Sequence, residues 1–317
     1  MASTRPLSLL FRTRNRALAR EITALERALE LPSTILIAGE SGTGKDHLAR
    51  ALHEASSRAE RPFVRIDAAN LSDELFESEM FGHERGAFTG AVSAKRGLLE
   101  AAADGTAYLD DASSLSPAAQ AKLLRVLQEK TFRRLGGASS HALRARLLVS
   151  SRKDLSALVE DGLFRPDLFY RIDVISVRLP RLIERPEDIL PLAREFLRKA
   201  ARAYLRPART FTREAQQALL RHSWPGNIRE LLHVAERAAL ASSAPAVTAE
   251  ELPAGALGSP RAILAAAVEK TWTLRQLTDA YIDETLRRAC GNRTLAAKRL
   301  GISRKALWER ERKRKGS

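Results

Sequence analysis

The segment 39-GESGTGKD-46 carries the strongest signal in this chain. It follows the apolar run 34-TILIAG-39 and precedes a helical pattern that starts at Asp46. A strand, a glycine-rich loop, a lysine and a helix in this order are the context that a phosphate-binding loop requires. Glycines let successive backbone N–H groups face an anion, the helix N-terminus adds a partial positive charge, and Lys45 supplies a full one. The segment predicts a nucleotide site formed by Gly39, Glu40, Ser41, Gly42, Thr43, Gly44, Lys45 and Asp46.

Short apolar runs recur along the chain and alternate with helical patterns. They lie at residues 34–39, 63–67, 107–110, 146–151 and 174–179. Strands that alternate with helices predict an α/β fold, in which a parallel sheet is sandwiched by helices. From residue 187 to about residue 242 the pattern is helical throughout, so a helical subdomain is expected to follow the sheet.

The composition favours a protein that meets a polyanion. The chain of 317 residues has a net charge of +15, and residues 285–317 hold twelve Lys and Arg against two Glu. This balance indicates nucleic acid before a membrane. One cysteine, Cys290, excludes an intrachain disulfide and agrees with a reducing cytoplasm. The N-terminal apolar run is too short for a signal sequence or a membrane span, so no membrane partner is expected.

Two carboxylates stand at the end of an apolar strand, in 107-AYLDD-111. Taken alone, such a pair is also typical of a cap for the next helix. Behind a phosphate loop, the favoured interpretation is that Asp110 holds a magnesium ion and Asp111 polarises a water for attack on the γ-phosphate. ATP and Mg²⁺ are therefore the expected ligands.

Further motifs follow the phosphate loop. They are 78-SEMFGHERGAFTGA-91, 120-QAKLLRVLQEKTFRRLGG-137, 164-FRPDLFYRI-172 and 224-WPGNIRELLH-233. Together with the phosphate loop, they resemble the AAA+ ATPase domain of bacterial enhancer-binding proteins, the activators of sigma-54 RNA polymerase. The resemblance covers almost the whole chain. The hexapeptide GAFTGA is its most specific part, because other AAA+ branches lack it.

The resemblance implies a ring, expected to be a hexamer, with ATP at each interface between subunits. Arg165 and Arg171 would reach the γ-phosphate bound by a neighbouring subunit, and Arg229 would sense the phosphates within its own subunit. Without the motifs, each of these arginines is typical of a solvated charge or an ordinary ion pair. The contact with sigma-54 is expected from the hexapeptide residues Gly86, Ala87, Phe88, Thr89, Gly90 and Ala91.

Patterns and resemblance together divide the chain into five segments. The expected order is an N-terminal helical lead-in (1–30), the AAA+ α/β subdomain (31–183), the helical lid (184–242), a linker rich in Ala, Pro, Gly and Ser (243–270) and a DNA-binding domain (271–317).

Three features around the attacking water, two single residues and one residue pair, depart from the family pattern. The family has glutamate where Asp111 stands; aspartate is one methylene shorter, and a misplacement of about 1 Å can cost on the order of a hundredfold in rate. The family has asparagine at Asp67, and two facing aspartates are expected to raise the pKa of one of them. The Thr-Asn sensor pair of the family is Ser151–Arg152 here. Nucleotide binding is expected to survive, with hydrolysis either retuned or weak.

The C-terminal residues predict three helices. The first ends before residue 291, a short second one spans residues 294–300, and a turn at Gly301 and Ile302 leads to the last helix. The spacing of the apolar residues Ala296, Leu300, Ile302 and Leu307 requires a packed unit. Two short helices joined by such a turn are similar to the Fis-type helix-turn-helix domain. The alternative is a solvated basic tail without specificity.

In the helix-turn-helix interpretation, the last helix enters the major groove of double-stranded DNA upstream of promoters. Arg304 and Lys305 are the candidates for base edges, and the arginines further along are expected to meet phosphates. Fis-type domains pair as dimers, so DNA sites with two-fold symmetry are expected. The candidate DNA-binding residues, including the helix caps, are Thr294, Ser303, Arg304, Lys305, Trp308, Arg310 and Arg312.

Two functions remain open at this point. The first is a cytoplasmic, ATP-driven activator that assembles into a ring and remodels sigma-54 RNA polymerase holoenzyme. The second is a DNA-binding regulator whose ATPase fold only binds nucleotide and oligomerises. An AAA+ replication or recombination loader is a third option, which GAFTGA argues against. Family members commonly carry a sensory domain before the ATPase, but only about thirty residues precede the strand of the phosphate loop here. Control is therefore expected from a regulatory protein acting in trans or from control of expression.

Overall fold

The structure is a computed structural model that describes residues 5–68 and 73–253 and, beyond them, positions 273, 276, 278–279, 281–282, 285, 293, 297, 300–303 and 307. Its contacts divide the chain into two compact units, Met1–Pro253 and Ala254–Ser317. The phosphate loop, the Asp110–Asp111 pair and the GAFTGA hexapeptide all lie in the first unit.

The first unit contains a parallel sheet and several short ribbons. Its strands are β1 (Ile35–Ala38), β2 (Phe63–Asp67), β3 (Gly82–His83), β4 (Lys95–Arg96), β5 (Thr106–Asp110), β6 (Thr131–Arg133), β7 (Ser140–Ala142), β8 (Arg146–Ser151), β9 (Ile175–Arg178), β10 (Thr210–Phe211) and β11 (Ala246–Val247). Five of them form the central sheet in the order β2-β5-β8-β1-β9, and every neighbouring pair is parallel. The five predicted apolar runs coincide with these strands to within one residue at each end, which confirms the α/β fold.

Helices cover both faces of the sheet and form the lid. They are α1 (Leu7–Leu10), α2 (Arg16–Glu26), α3 (Lys45–Glu54), α4 (Asp73–Phe81), α5 (Leu98–Ala101), α6 (Pro117–Glu129), α7 (Leu155–Glu160), α8 (Pro166–Ile172), α9 (Pro186–Ala203), α10 (Arg213–Arg221) and α11 (Asn227–Ala241), with short 3-10 turns at Ala112–Ser114 and Leu182–Glu184. Among the described residues, no helix is both long enough and apolar enough to cross a membrane.

Strand β1 shows why the sheet is apolar on both faces. Successive side chains of a strand point to opposite sides. Leu36 joins the core on the side of α4 and α6, whereas Ile35 and Ile37 join the core on the other side with Leu18 of α2 and Leu48 of α3. A strand buried on both sides therefore reads as a continuous apolar run.

The N-terminal residues are part of this second core. Leu7 and Ile22 are buried in it, so α1 and α2 pack on the sheet rather than standing before it. Helix α2 begins after Asn15, whose side-chain oxygen accepts a hydrogen bond from the backbone N–H of Leu18 at 3.0 Å. Such a cap satisfies one of the free donors of the first turn.

The lid consists of α9, α10 and α11, with α9 packed against α11. The strand β11 pairs with β10, and Val247 and Leu252 are buried. Residues 243–253 therefore belong to the first unit, and the expectation of a linker from residue 243 is wrong for this part. The apolar side chains within this Ala- and Pro-rich stretch are buried in the lid, and the composition of the stretch did not indicate this burial.

The described residues of the second unit form a small apolar cluster. Ile282, Ala297 and Leu307 are buried together, with Leu300 and Ile302 packed against them. Gly301 has φ 67°, and the N–H of Ile302 donates to the carbonyl of Ala297 at 3.1 Å, which is the ending typical of a helix followed by a left-handed glycine. Ala296 lies outside the described residues, and Ala297 is the alanine placed in this cluster.

Candidate functional site

The phosphate loop lies between β1, an interior strand of the sheet, and α3. Its glycines Gly39, Gly42 and Gly44 have φ angles of 152°, 78° and 106°. Glycine adopts such angles without the strain that a side chain would cause. Gly42 also has no room for a side chain, since a Cβ there would lie 2.4 Å from the carbonyl oxygen of Gly226. Gly44 is the N-cap of α3, so the N-terminus of this helix opens into the loop.

Lys45 is held inside the loop and is only 7% exposed. Its Nζ donates to the carbonyl oxygens of Gly39 at 2.7 Å and of Glu40 at 2.9 Å. Burial lowers the pKa of this ammonium, and the nearby carboxylates, Asp110 first among them, oppose that effect. The lysine thus stands where phosphates cradled by the loop would meet it.

Asp110 ends strand β5 beside the loop and accepts several hydrogen bonds. Ser150 Oγ donates to its Oδ1 at 2.7 Å, and Tyr108 Oη approaches the same oxygen at 3.2 Å. The guanidinium of Arg65 pairs with its Oδ2. Arg65 and Tyr108 also reach Asp46, at 3.3 Å and 2.8 Å. The carboxylates of Asp46 and Asp110 are therefore bridged by one arginine and one phenol.

Asp111 has a left-handed backbone, φ 66° and ψ 70°, and is 3% exposed. Its Oδ1 accepts from Ser113 Oγ at 2.5 Å and from the backbone N–H of Arg152 at 3.1 Å. Its Oδ2 accepts from Nε of Arg152 at 2.6 Å and lies 2.5 Å from Nη2. Burial acts to raise the pKa of this carboxyl, but the hydrogen bonds from Ser113 and Arg152 outweigh it, so the pKa of Asp111 lies below its ordinary value.

For Asp111, this arrangement contradicts the expectation that a facing aspartate raises its pKa. Asp67 ends strand β2, and its partner in the sheet register is Asp110 rather than Asp111. The charge that lies against Asp111 is the guanidinium of Arg152, so a cation and not a second carboxylate decides the direction of the shift.

The sensor pair contributes one side chain to the site. Arg152 lines the cleft. The hydroxyl of Ser151 instead donates to the carbonyl of Lys153 at 2.6 Å, and its own carbonyl accepts from the N–H of Gly39 at 3.1 Å. Ser150, one residue earlier, is the hydroxyl that contacts Asp110. Alternation along β8 explains this, because neighbouring side chains of a strand face opposite ways.

The lid closes over the loop through α11. Nη1 of Arg229 donates to Ser41 Oγ at 2.8 Å. Asn227, with φ 51°, donates from Nδ2 to the carbonyl of Ser41 at 3.1 Å, and the N–H of Ile228 donates to the carbonyl of Gly42 at 2.8 Å. The lid is therefore joined to the phosphate loop by main-chain as well as side-chain contacts.

Several site residues escaped the sequence interpretation. Arg65, Tyr108 and Ser150 lie on strands, one or two residues away from predicted site residues, and their polar atoms in apolar runs were the available signal. Asn227 stands in the motif that contains Arg229. Arg185, also missed, is 2% exposed and donates to the carbonyl of Thr43 at 2.6 Å. A buried arginine next to a predicted lid helix has no signature in the sequence.

The phosphate loop, the strand-end aspartates and the lid helix α11 surround a cleft of about 480 Å³. Its lining brings together seven charged residues, Lys45, Asp46, Asp67, Asp110, Asp111, Arg152 and Arg229. Glycine backbone, a buried lysine and strand-end carboxylates in one cleft can hold a polyphosphate and a divalent cation.

Arg165 and Arg171 lie away from this cleft. Arg165 is the N-cap residue of α8 and pairs with Asp167 at 2.7 Å. Arg171, near the end of α8, donates to the carbonyl of Leu127 at 3.1 Å. Neither side chain lines this cleft.

The GAFTGA residues form a hairpin tip between β3 and β4, in which residues 86 and 88–90 are exposed and Ala91 is buried. Gly86 and Gly90 have φ angles of 82° and 106°, and the N–H of Gly86 donates to the carbonyl of Ala91 at 2.9 Å. Phe88 is 45% exposed and meets His83 edge-on, with ring centroids 5.0 Å apart. Thr89 is exposed beside it. The tip therefore presents an aromatic ring and a hydroxyl to solvent.

A second hairpin, β6–β7, supports the base of this tip. Arg134 pairs with Glu84 at 3.0 Å and with Glu100 at 2.8 Å. The N–H of Glu84 donates to the carbonyl of Leu135, and the N–H of Leu135 to the carbonyl of Gly82, both at 2.9 Å. The two hairpins are thus joined through backbone and charge.

The candidate DNA-binding residues are mostly not described. Ser303 is the exception, and its carbonyl accepts from the N–H of Leu307 at 3.1 Å. Those outside the described residues are Thr294, Arg304, Lys305, Trp308, Arg310 and Arg312.

Comparison with known families finds matches along most of the chain. Residues 11–178 match the sigma-54 interaction domain. Residues 183–263 match an AAA+ ATPase lid domain. Residues 273–313 match the bacterial regulatory proteins of the Fis family.

Individual proteins show the same similarity. The chain is 41% identical to the transcriptional regulatory protein ZraR of Klebsiella oxytoca, over 92% of this chain and 65% of that protein. It is 42% identical to the regulatory protein AtoC of Escherichia coli K12, over 87% of this chain and 61% of that protein. The chain thus spans less than two thirds of the length of these curated relatives. The crystal structure of NtrX from Brucella abortus in complex with ATP is similar with a TM-score of 0.70 and 33% identity, over 95% of this chain and 68% of that one.

Proposed function

The chain belongs to the sigma-54 interaction-domain family of AAA+ transcriptional regulators, and from this premise we propose that it is an ATP-driven activator of transcription by sigma-54 RNA polymerase. It binds double-stranded DNA upstream of promoters, assembles into a ring and remodels the polymerase holoenzyme through residues 86–91. The observation that carries the proposal is the cleft in which Lys45, Asp110 and Asp111 meet, on a chain that also exposes a GAFTGA tip.

ATP is the proposed substrate. A phosphate loop with a buried lysine supports this choice, and NtrX of Brucella abortus was solved with both ATP and ADP. In the reaction, the oxygen of a water forms a bond to the γ-phosphorus while the bond to the β–γ bridging oxygen breaks. ADP leaves with that electron pair, and Asp111 receives the proton of the water. Lys45 and the loop N–H groups hold the phosphates in place.

Asp110 is the proposed ligand of magnesium. Its carboxylate, beside the loop, and the Ser150 hydroxyl 2.7 Å from it offer the oxygen donors that this cation prefers. No group of three or more His, Cys, Asp or Glu in the described part of the chain is placed to hold a metal by itself. Magnesium in nucleotide sites is held by one or two carboxylates together with substrate phosphates, so Asp110 is sufficient. When bound, the cation would neutralise charge on the β- and γ-phosphates.

The ring, proposed to be a hexamer, would complete each site with a neighbouring subunit. Arg165 and Arg171 are exposed at or near the ends of α8 and lie outside their own cleft. Guanidinium groups supplied in trans stabilise the charge that develops on the γ-phosphate. A Fis-type domain would supply dimeric DNA binding. We place the protein in the cytoplasm.

Phosphate release tests the motor. The wild-type chain, with magnesium and ATP, is expected to release phosphate in steady state, and Lys45→Ala is expected to lower the rate by about two orders of magnitude. Arg125→Gln, which removes an exposed charge on α6, serves as the control with an unchanged rate. Equal and slow release by the wild type and Lys45→Ala would contradict an ATP-driven motor.

Transcription from a sigma-54 promoter tests the output. Thr89→Ala is expected to keep ATP turnover and to lose activation, because Thr89 is exposed at the tip and far from the groups that touch nucleotide. Activation that remains at the wild-type level would remove the tip from the mechanism.

A second function is favoured by one observation. Asp111 accepts hydrogen bonds on both carboxylate oxygens, which leaves little capacity to polarise a water. The chain would then be a DNA-binding regulator that binds nucleotide and oligomerises without useful turnover. In that case ATP binds with the affinity expected of an intact loop while phosphate release stays at the level of Lys45→Ala.

A further inference from the structure

The carboxylate of Asp111 is surrounded by donors: it accepts three hydrogen bonds, and Nη2 of Arg152 makes a further close charged contact with its Oδ2. An ionised carboxylate offers about four lone-pair positions. Ser113 and the backbone N–H of Arg152 use those of Oδ1, at 2.5 Å and 3.1 Å. Nε and Nη2 of Arg152 lie 2.6 Å and 2.5 Å from Oδ2. A water that is to lose its proton to Asp111 needs one of these positions, so a present partner must first leave.

The backbone around Asp111 leaves it no alternative placement. Its left-handed φ of 66° and the hydrogen bond from its N–H to Ser150 Oγ at 2.9 Å hold the residue at the end of β5. The side chain is almost completely buried, whereas that of Arg152 is 49% exposed. The partner that is free to move is therefore the guanidinium of Arg152.

Arg152 is aimed into the cleft that the proposed function assigns to nucleotide. It lines this cleft together with Lys45 and Arg229, two cations placed for phosphates. The other carboxylates that line this cleft are those of Asp46, Asp67 and Asp110, and Arg65 already pairs with Asp46 and Asp110. A terminal phosphate with about two negative charges competes well for a guanidinium held by a single carboxylate, since bidentate arginine contacts suit both.

We propose that Arg152 is a latch on Asp111, which it releases when the terminal phosphate of a nucleoside triphosphate draws its guanidinium away. A nucleoside diphosphate ends one phosphate earlier and leaves the latch closed. Asp111 is therefore free to receive the proton of a water only when there is a γ-phosphate to attack. This inference rests on the proposed ATP site and deepens it, because it makes Arg152 a positioning residue that couples the substrate to the base.

Kinetics provide the first test. Arg152→Gln removes the fork and is expected to raise kcat by about tenfold, the rate equivalent of one charge-assisted hydrogen bond. The same change is expected to raise KM for ATP, because the guanidinium no longer meets the γ-phosphate. Arg152→Lys keeps the charge without the fork and should give an intermediate kcat with a nearly unchanged KM. Arg125→Gln is the charge-matched control. Adding Asp111→Asn to Arg152→Gln should abolish the gain.

A second measurement does not depend on turnover. Thermal unfolding of the full chain is compared for the wild type, Arg152→Gln, Asp111→Asn and the double variant, which isolates the coupling between the two residues. The coupling is expected to amount to about 3 °C in Tm without nucleotide. It should persist with ADP and disappear with a non-hydrolysable ATP analogue.

The outcomes separate this inference from the proposed function. A wild type that turns over, combined with an Arg152→Gln variant that is no faster, overturns the latch and leaves the ATPase intact. If kcat of Arg152→Gln falls to the level of Asp111→Asn, Arg152 promotes hydrolysis instead of restraining Asp111, and the latch is overturned as well. Coupling that remains with the ATP analogue has the same consequence. If neither the wild type nor Arg152→Gln turns over ATP, but the ATP analogue removes the coupling between Arg152 and Asp111, the proposed ATP-driven function is overturned and the latch is supported.

Discussion

Gly42 is constrained in two ways at the contact between the phosphate loop and the lid. Its φ of 78° lies in the left-handed region, and a Cβ would lie 2.4 Å from the carbonyl oxygen of Gly226. The carbonyl of Gly42 itself accepts from the N–H of Ile228 at 2.8 Å. Gly42 therefore contributes both to the shape of the phosphate loop and to the contact of the lid with this loop. Gly162 has a similar φ of 69°, but a Cβ there meets nothing within 4 Å.

Gly42→Ala and Gly162→Ala separate these two constraints. Gly162→Ala is expected to cost about 1 to 2 kcal/mol of unfolding free energy, the strain of a left-handed alanine. Gly42→Ala should cost clearly more, because the loop or the lid must also move, and it should weaken ATP binding. Thermal unfolding and nucleotide titration of both variants measure the difference. Equal stability losses and equal ATP affinities would show that the contact with Gly226 is without consequence.

The elements that carry the output are two hairpins. The tip between β3 and β4 holds the GAFTGA residues, and the β6–β7 hairpin contacts its base through Leu135 and Arg134. Arg134 connects three elements, since Glu84 lies at the base of the tip and Glu100 on α5. Two-stranded ribbons are marginal by themselves, so their position depends on such contacts with the body of the domain.

Arg134→Gln is expected to loosen the tip without unfolding the domain. Loss of the charged contacts should speed amide exchange at Gly86 and Ala91 by about tenfold, the equivalent of one hydrogen bond to a charged group. Hydrogen exchange followed by mass spectrometry measures this, with Arg133→Gln, an exposed neighbour on β6, as the control. Unchanged exchange in the tip would mean that the backbone contacts alone position it.

Over the whole first unit, a chain of part-buried and buried contacts links the N-terminal segment to the phosphate loop. Thr13 Oγ1 donates to Asp188 of α9 at 2.6 Å, and the N–H of Arg14 donates to the same carboxylate at 2.5 Å. Arg185 lies 4.0 Å from Asp188 and donates to the carbonyl of Thr43 at 2.6 Å. Burial lowers the pKa of Arg185 against the pull of Asp188. The carboxylate of Asp188 therefore connects the N-terminal segment with the lid and, through Arg185, with the phosphate loop.

Asp188→Ala tests this connection. The change leaves the guanidinium of Arg185 buried without its carboxylate, which is expected to cost about 3 kcal/mol of unfolding free energy. ATP affinity should fall as well, because Arg185 contacts the loop directly. Glu195→Gln, an exposed change on the same helix, is the control. Thermal unfolding and ATP titration measure both effects; a variant as stable as this control would contradict the role of Asp188.

Much of the cleft was predictable, because its parts depend on local chemistry. Glycines that adopt positive φ, a lysine that opens a helix and apolar runs that end in aspartate each leave a pattern within a few residues. The strand bounds followed from the same kind of signal. The position of residues 243–253 was not predictable, since pairing of β11 with β10 joins segments about 36 residues apart.

The amino-acid sequence by itself determined where the phosphate loop, the strands and the exposed tip lie, since each is specified by neighbours in the chain. Only the tertiary structure decided which charges meet. Arg65 pairs with Asp110 across 45 residues, and Arg152 pairs with Asp111 across 41. Electrostatic interactions depend on distance in space and on burial, which no local pattern records. The sign of the pKa shift of Asp111, and the latch inferred from its partners, are properties of the folded chain.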